Sequence, residues 1–94
     1  MTLTTKFKQQ LKAKAHPLKP VVLIGAHGLT EAVKKEINLA LEHHELIKVS
    51  IRTEDRDQRK AWLIEICESL QAELIQRIGT IGVIYRKKDA NIGL

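Results

Sequence analysis

The chain has 94 residues, 44% of them hydrophobic, and a net charge of +5. These values exclude a disordered chain and leave room for one small domain over residues 1–94, but not two. Cys67 is the single cysteine, which excludes an internal disulfide and fits a reducing cytoplasm. No apolar run near the start approaches the roughly 20 residues that span a bilayer, and lysines interrupt residues 6–19 where a signal peptide needs an apolar core.

Leu3, Phe7, Leu11 and Ala15 recur at helical spacing and predict an amphipathic helix over 4–15 with lysines outward. Pro17 and Pro20 end it and lead into an extended segment. Val21–Ile24 is short, apolar and β-branched, the pattern of a buried strand. Thr30 is a good N-cap for a second helix with its stripe at Val33, Ile37, Ala40 and Leu41, ending near His43-His44. Leu46, Ile47, Val49 and Ile51 make a second strand, and Thr53 or Asp55 caps a third helix running to about Leu70. Leu74–Ile78 and Ile81–Arg86 are strands joined by Gly79-Thr80, a Gly-X pair suited to a type II′ hairpin turn. The segment from Lys87 to residue 94 is a polar tail. The expected architecture is α/β: a single domain of order αβαβαββ, with three helices packed on a mixed four-stranded sheet. The strand–helix–strand connections call for parallel pairing, and the last hairpin is antiparallel.

Charge is unevenly spread. Residues 1–30 contribute +5 and contain no acid, 31–68 contribute −2, and 69–94 contribute +2. A basic surface of this kind fits a polyanion, and nucleic acid is preferred over membrane because the apolar stripe of the first helix is thin and needed for the core.

Inside the basic stretch lies Gly25-Ala26-His27-Gly28, a GxxG loop between the first strand and the second helix. Two glycines let the backbone approach a ligand and take positive φ. The following helix start, capped by Thr30, aims free N–H groups and a positive dipole end at the same spot, as a phosphate requires. The lysines of the first helix, Lys8, Lys12 and Lys14, then Lys19 and the late cluster Arg86-Lys87-Lys88, supply attraction. Whether that late cluster lies beside the loop is not a local property of the chain. His27, at the loop tip, is placed either to meet phosphate or base or to be an inert polar residue. Phe7, Trp62 and Tyr85 are the only aromatics and fall in patterned segments, so base stacking is limited and phosphate, sugar and shape dominate recognition.

No catalytic constellation is present. Cys67 lies on an apolar helical face, where a thiol is inert. Glu54, Asp55 and Asp57, beside Arg52, Arg56 and Arg59, fit helix capping and surface ion pairs. His43-His44 lacks metal-ligand spacing. The loop has neither the length nor the Lys-Ser/Thr of a Walker phosphate loop, and it is not G-x-G-x-x-G. No cofactor or metal is expected.

Leu18-Lys19-Pro20, Leu23–Thr30, His44–Val49, Ile78-Gly79 and Ile84-Tyr85-Arg86 together resemble the YhbY-like proteins. These are the stand-alone bacterial form of the chloroplast RNA splicing and ribosome maturation (CRM) domain. The resemblance runs from about Leu3 to Lys87. It implies a fold similar to the C-terminal domain of translation initiation factor three, and RNA binding through Gly25, Ala26, His27 and Gly28 with the adjoining basic surface. For stand-alone members it implies association with precursors of the large ribosomal subunit. The expectation is thus a non-enzymatic, cytoplasmic RNA-binding protein of ribosome assembly, without preference for DNA or membrane. The alternative is a module docking on ribosomal proteins. Gly28→Asp is expected to weaken RNA binding with the fold intact.

Overall fold

The computed structural model describes residues 3–88; the polar tail expected from Lys87 lies, beyond Lys88, outside them. The elements follow the expected order: α1 (Thr5–Ala15), β1 (Pro20–Ile24), α2 (Glu31–His44), β2 (Leu46–Ile51), α3 (Arg56–Leu70), β3 (Glu73–Ile78) and β4 (Ile81–Tyr85).

Short polar side chains start all three helices. Thr4 accepts from the Phe7 N–H, Thr30 from the Val33 N–H, and Asp55 from the N–H groups of Asp57 and Gln58, each satisfying donors that a helix start leaves unpaired. Of the two candidates for the third cap, Asp55 takes the role; the Thr53 hydroxyl accepts from the Asp55 N–H instead. Residues with positive φ end α2 and α3, Glu45 at +61° and Gln71, in the left-handed helical region, at +55°. The Ala72 N–H then closes back on the Cys67 carbonyl at 2.9 Å, so α3 turns into β3 without a loop.

The sheet order is β1-β2-β4-β3. β1 and β2 are parallel, as the βαβ connection requires. β2 and β3 also point the same way but do not pair: β4 inserts between them, antiparallel to both. This corrects the expected parallel pairing of those two strands. The burial of side chains gives the reason. Gly82, Val83 and Ile84 of β4 are all buried, the mark of a central strand, whereas only Ile75 is buried in β3. A two-residue loop, with Gly79 at φ +57°, closes the hairpin at the Ile78–Ile81 pair. Gly82 suits the centre because the Leu63 side chain of α3 occupies the space a Cβ would fill.

Two cores hold the layers. On one sheet face α2 and α3 bury Ile37, Leu41, Leu63 and Ile66 against Val22, Ile24, Ile47, Val49, Ile51 and Ile84. On the other face α1 alone buries Leu11 and Ala15 against Ile75 and Val83, with Phe7 packed edge-on to Tyr85 at 5.6 Å between ring centroids. One helix cannot cover four strands, and α1 lies over β2, β3 and β4. β1 is therefore an edge strand with an open face, not a fully buried one: Val22 and Ile24 point inward while Val21 and Leu23 are 51% and 47% exposed.

Candidate nucleic-acid interface

The GxxG loop leaves the carboxyl end of β1 and turns directly into α2. The Gly28 N–H bonds to the Gly25 carbonyl at 3.0 Å, and the Thr30 N–H to the Gly28 carbonyl at 3.1 Å. Ala26 and His27 are exposed at the tip, and Gly28 is buried beneath it. The two glycines are not equivalent. Gly28 sits at φ +74°, and a Cβ there would stand 3.0 Å from Cζ2 of the Trp62 indole. Gly25 needs no positive φ, and a Cβ on it meets nothing within 4 Å. Gly28 is thus favoured by the fold, while Gly25 leaves room for a side chain. This contact and this backbone conformation mean that Gly28→Asp carries a cost in stability as well as placing an anion in the loop.

At the helix start, Thr30 engages the Val33 N–H through its hydroxyl at 3.2 Å and the Lys34 N–H through its carbonyl at 2.9 Å. The N–H groups of Glu31 and Ala32 have no acceptor among the described residues and face outward next to the loop. Two such donors with the positive end of the helix dipole suit one phosphate oxygen pair. Glu31 is the only acid of the first turn, its carboxylate exposed and 3.8 Å from the Lys34 ammonium. Lys34 is drawn the other way, to Glu65 on α3 at 2.9 Å; that hydrogen bond raises its pKa.

The candidate residues do not form one cluster. β4 runs antiparallel to β2, so Tyr85 pairs with Leu46 at the end of the sheet remote from the loop, whereas Ile51 meets the Gly79-Thr80 turn at the loop end. Five residues of strand, about 17 Å, separate the two ends. Arg86, Lys87 and Lys88 thus lie away from Gly25–Gly28. Arg86 is turned inward as well: its guanidinium donates to the Asn38 side chain at 2.8 Å, the Asn38 carbonyl at 3.1 Å and the Leu70 carbonyl at 3.1 Å. It ties the end of β4 to α2 and α3. Lys87 and Lys88 remain exposed.

The fold does join the remaining lysines. Lys12 and Lys14 on α1 are exposed, Lys8 is half-buried, and Lys19 is exposed before β1. α1 and the segment up to Thr30 carry no acid, and α1 lies on one face of the sheet, where Glu73, opposite Tyr85, is an acid at the end remote from the loop. Of the nine acids of residues 31–68, six (Glu31, Glu36, Glu42, Asp57, Glu65 and Glu68) are on α2 and α3, which pack on the opposite side; Glu45, Glu54 and Asp55 flank those helices. Charge asymmetry along the sequence has become asymmetry across the sheet.

Sequence reasoning passed over Arg52 and Arg56 as ion-paired. Among the described residues the ion pairs are confined to Lys34 with Glu31 and Glu65. Arg52 and Arg56 are exposed, and the Arg52 N–H bonds to the Ile24 carbonyl at 2.9 Å, which fixes Arg52 beside the GxxG loop. The signal was available: carboxyl ends of adjacent parallel strands are where ligands meet open sheets. Arg59, by contrast, turns inward to the Thr53 carbonyl. Cys67 is half-buried, and burial, aided by Glu73, pushes its thiol up to about 11. Among the described residues no helix is long and apolar enough to cross a membrane.

Comparison with known proteins adds an independent line. A family model described as the CRS1/YhbY (CRM) domain matches residues 3–86. The chain is 45% identical over 87 residues to a probable RNA-binding protein of Pseudomonas aeruginosa, covering 93% of this chain and 84% of that one. It is 48% identical over 88 residues to an RNA-binding protein of Haemophilus influenzae, covering 94% and 89%. The fold matches the solution structure of a Staphylococcus aureus protein presented as a candidate RNA binder, with a TM-score of 0.82, 36% identity and coverage of 99% and 97%.

Proposed function

The chain belongs to the CRS1/YhbY (CRM) domain family, and from that premise we propose that it is an RNA-binding protein acting without catalysis in cytoplasmic assembly of the large ribosomal subunit. The observation that supports RNA binding is the acid-free stretch from α1 through the GxxG loop, with its exposed lysines. Three relatives are named as RNA-binding or probable RNA-binding proteins. The finer assignment, to precursor large-subunit RNA, rests on the likeness to stand-alone bacterial members.

In this reading the free N–H groups of Glu31 and Ala32, presented by Gly25–Gly28 and the Thr30 cap, hold one phosphate. Lys8, Lys12, Lys14 and Lys19 supply long-range attraction from one side, and Arg52 meets the backbone beside the loop. Lys87 and Lys88 extend the footprint only if the RNA reaches the far end of the sheet, and Arg86 acts there as an anchor for the fold. Neutralising about five phosphates gives a slope of log affinity on log salt near −3.5 for single-stranded RNA, at about −0.7 per phosphate.

The test is sedimentation of cell lysate on sucrose gradients at low and high salt. Co-migration with large-subunit precursors, lost at high salt and on RNase treatment, supports the proposal. Association that survives RNase points instead to docking on ribosomal proteins, and sedimentation only at the top at both salts refutes the assembly role.

A further inference from the structure

The α1 side of the sheet is basic, but its floor is apolar where α1 ends. Strand register places Leu23 opposite Ser50, Ser50 opposite Ile81 and Ile81 opposite Ile78. Directly opposed residues share a face. These four therefore form one row across all four strands, about 14 Å wide at the usual strand spacing. The face is the α1 face, because Leu46, two pleats along β2 from Ser50, packs with α1. α1 stops short of the row. Leu23 and Ile78, its two ends, are 47% and 56% exposed, and Val21 continues the open surface along β1 at 51%.

A row with open aliphatics at both ends is not neutral surface. Such patches mark interaction sites or risk aggregation. What surrounds the row identifies the occupant. At one end the chain leaves Ile24, next to Leu23, into the GxxG loop. Behind the row, a cleft between the end of α1 and the sheet is lined by Lys12, His16, Lys48, Gln76, Ile78 and Val83. Lys48 spends one donor on the His16 carbonyl at 3.2 Å and keeps two free. No carboxylate lines the cleft. An apolar floor with cations behind it and a phosphate-binding loop at its edge has the charge pattern of a single-stranded nucleic acid, whose unpaired bases are flat and apolar and whose backbone is anionic. A helical peptide or a second copy of this chain would bury its apolar side against the floor without using the cations.

We infer that the Leu23–Ser50–Ile81–Ile78 row is a platform for the unpaired bases of a single-stranded RNA segment whose backbone runs between the GxxG loop and the Lys12–Lys48 cleft. This rests on the proposed RNA-binding function and narrows its ligand from RNA in general to unpaired RNA. It also changes the expectation drawn from the few aromatics: aliphatic side chains take the place of stacking rings. Ser50, in the middle, offers a hydroxyl to a base edge.

The experiment compares three probes by fluorescence anisotropy: a 12-nucleotide single-stranded RNA without self-complementarity, a blunt RNA duplex of the same length, and an abasic ribose-phosphate 12-mer. The full chain should prefer the single strand over the other two by about tenfold, the effect of losing one good base contact. Leu23→Thr/Ile78→Thr, which keeps strand-forming residues on the row, should abolish that preference while the salt slope stays the same. Ile78→Tyr, which puts a ring on the platform and does not depend on the double variant folding, should tighten the single strand severalfold and leave the abasic probe unchanged. Equal affinity of the full chain for all three probes, or a double variant that keeps the preference, overturns the inference while RNA binding stands. Failure of the full chain to bind any RNA overturns the proposed function with it. A full-chain dimer in sedimentation equilibrium that the double variant converts to monomer overturns it in favour of a self-association surface.

Discussion

Gly28 and Gly25, three residues apart in one loop, should respond to the same substitution in opposite ways. In Gly28→Ala the new Cβ must sit at φ +74°, and it arrives 3.0 Å from the Trp62 ring. The left-handed backbone costs a residue with a side chain about 1–2 kcal/mol. Crowding against the indole adds roughly 1 kcal/mol, the low end of overpacking, because Trp62 is only half-buried and can shift. The total, about 2–3 kcal/mol, corresponds to a fall in melting temperature of roughly 10–20 °C for a domain of this size. In Gly25→Ala the Cβ meets nothing within 4 Å and no positive φ is required. Restricting the unfolded chain then leaves stability unchanged or raises it by a few tenths of a kcal/mol. Thermal unfolding followed by circular dichroism separates the two. Equal melting temperatures for both variants would refute the account of the loop as one structural and one free glycine. Gly25→Asp places an anion in the proposed phosphate site without the strain of Gly28→Asp, and should weaken RNA binding at an unchanged melting temperature.

Gly82→Ala would place a Cβ 2.5 Å from Cδ2 of the buried Leu63. Denaturant titration should show a loss of about 1–3 kcal/mol, which Gly82→Ala/Leu63→Ala should not exceed by the full cost of a Leu truncation. Arg86→Met removes three charge-assisted hydrogen bonds to Asn38 and Leu70; stability should fall by roughly 2–3 kcal/mol, while RNA affinity of the folded fraction changes less than in Lys12→Gln. The Cys67 thiol, pushed by burial from 9.0 to about 11, is about one part in a thousand thiolate at pH 8. Alkylation should therefore be far slower in the native protein than in denaturant. Because the folded value lies above the unfolded one, the stabilising contribution is complete below pH 9 and lost as pH rises from 9 to about 11. The urea midpoint of the native sequence should fall over that range more than that of Cys67→Ala.

What the sequence made legible was local. The helix over 4–15, the Thr30 cap and the Gly79-Thr80 turn each depend on residues within a few positions of one another, and each stands as expected. The insertion of β4 between β2 and β3 depends on contacts across the whole chain, so periodicity carried no sign of it. β1 illustrates the same limit from another side: four apolar residues in a row have the pattern of a strand buried on both faces, but whether a second helix reaches that edge is a question of packing. Arg86 resembles a surface cation until Asn38, 48 residues earlier, is brought beside it. The arginines around the start of α3 are illegible for the opposite reason. Neighbours of opposite sign in sequence need not pair, and Arg52 and Arg56 do not.

The placement of β4 also governs when this domain can exist. A ribosome makes the chain from the amino end, so β4, one of the two central strands of the sheet, is the last of the described elements to be synthesised. Until Ile81–Tyr85 emerges, β1 and β2 are a lone parallel pair, and β3 has no partner at all. Two strands alone do not make a stable sheet; α2 and α3 can cover one face of the pair, but α1 has no finished floor, since Val83 belongs to the core beneath it. The nascent chain therefore lacks one of its two cores until the end. It becomes a domain in a single step when β4 arrives, and any product that stops before Ile81 should remain unfolded and open to proteolysis.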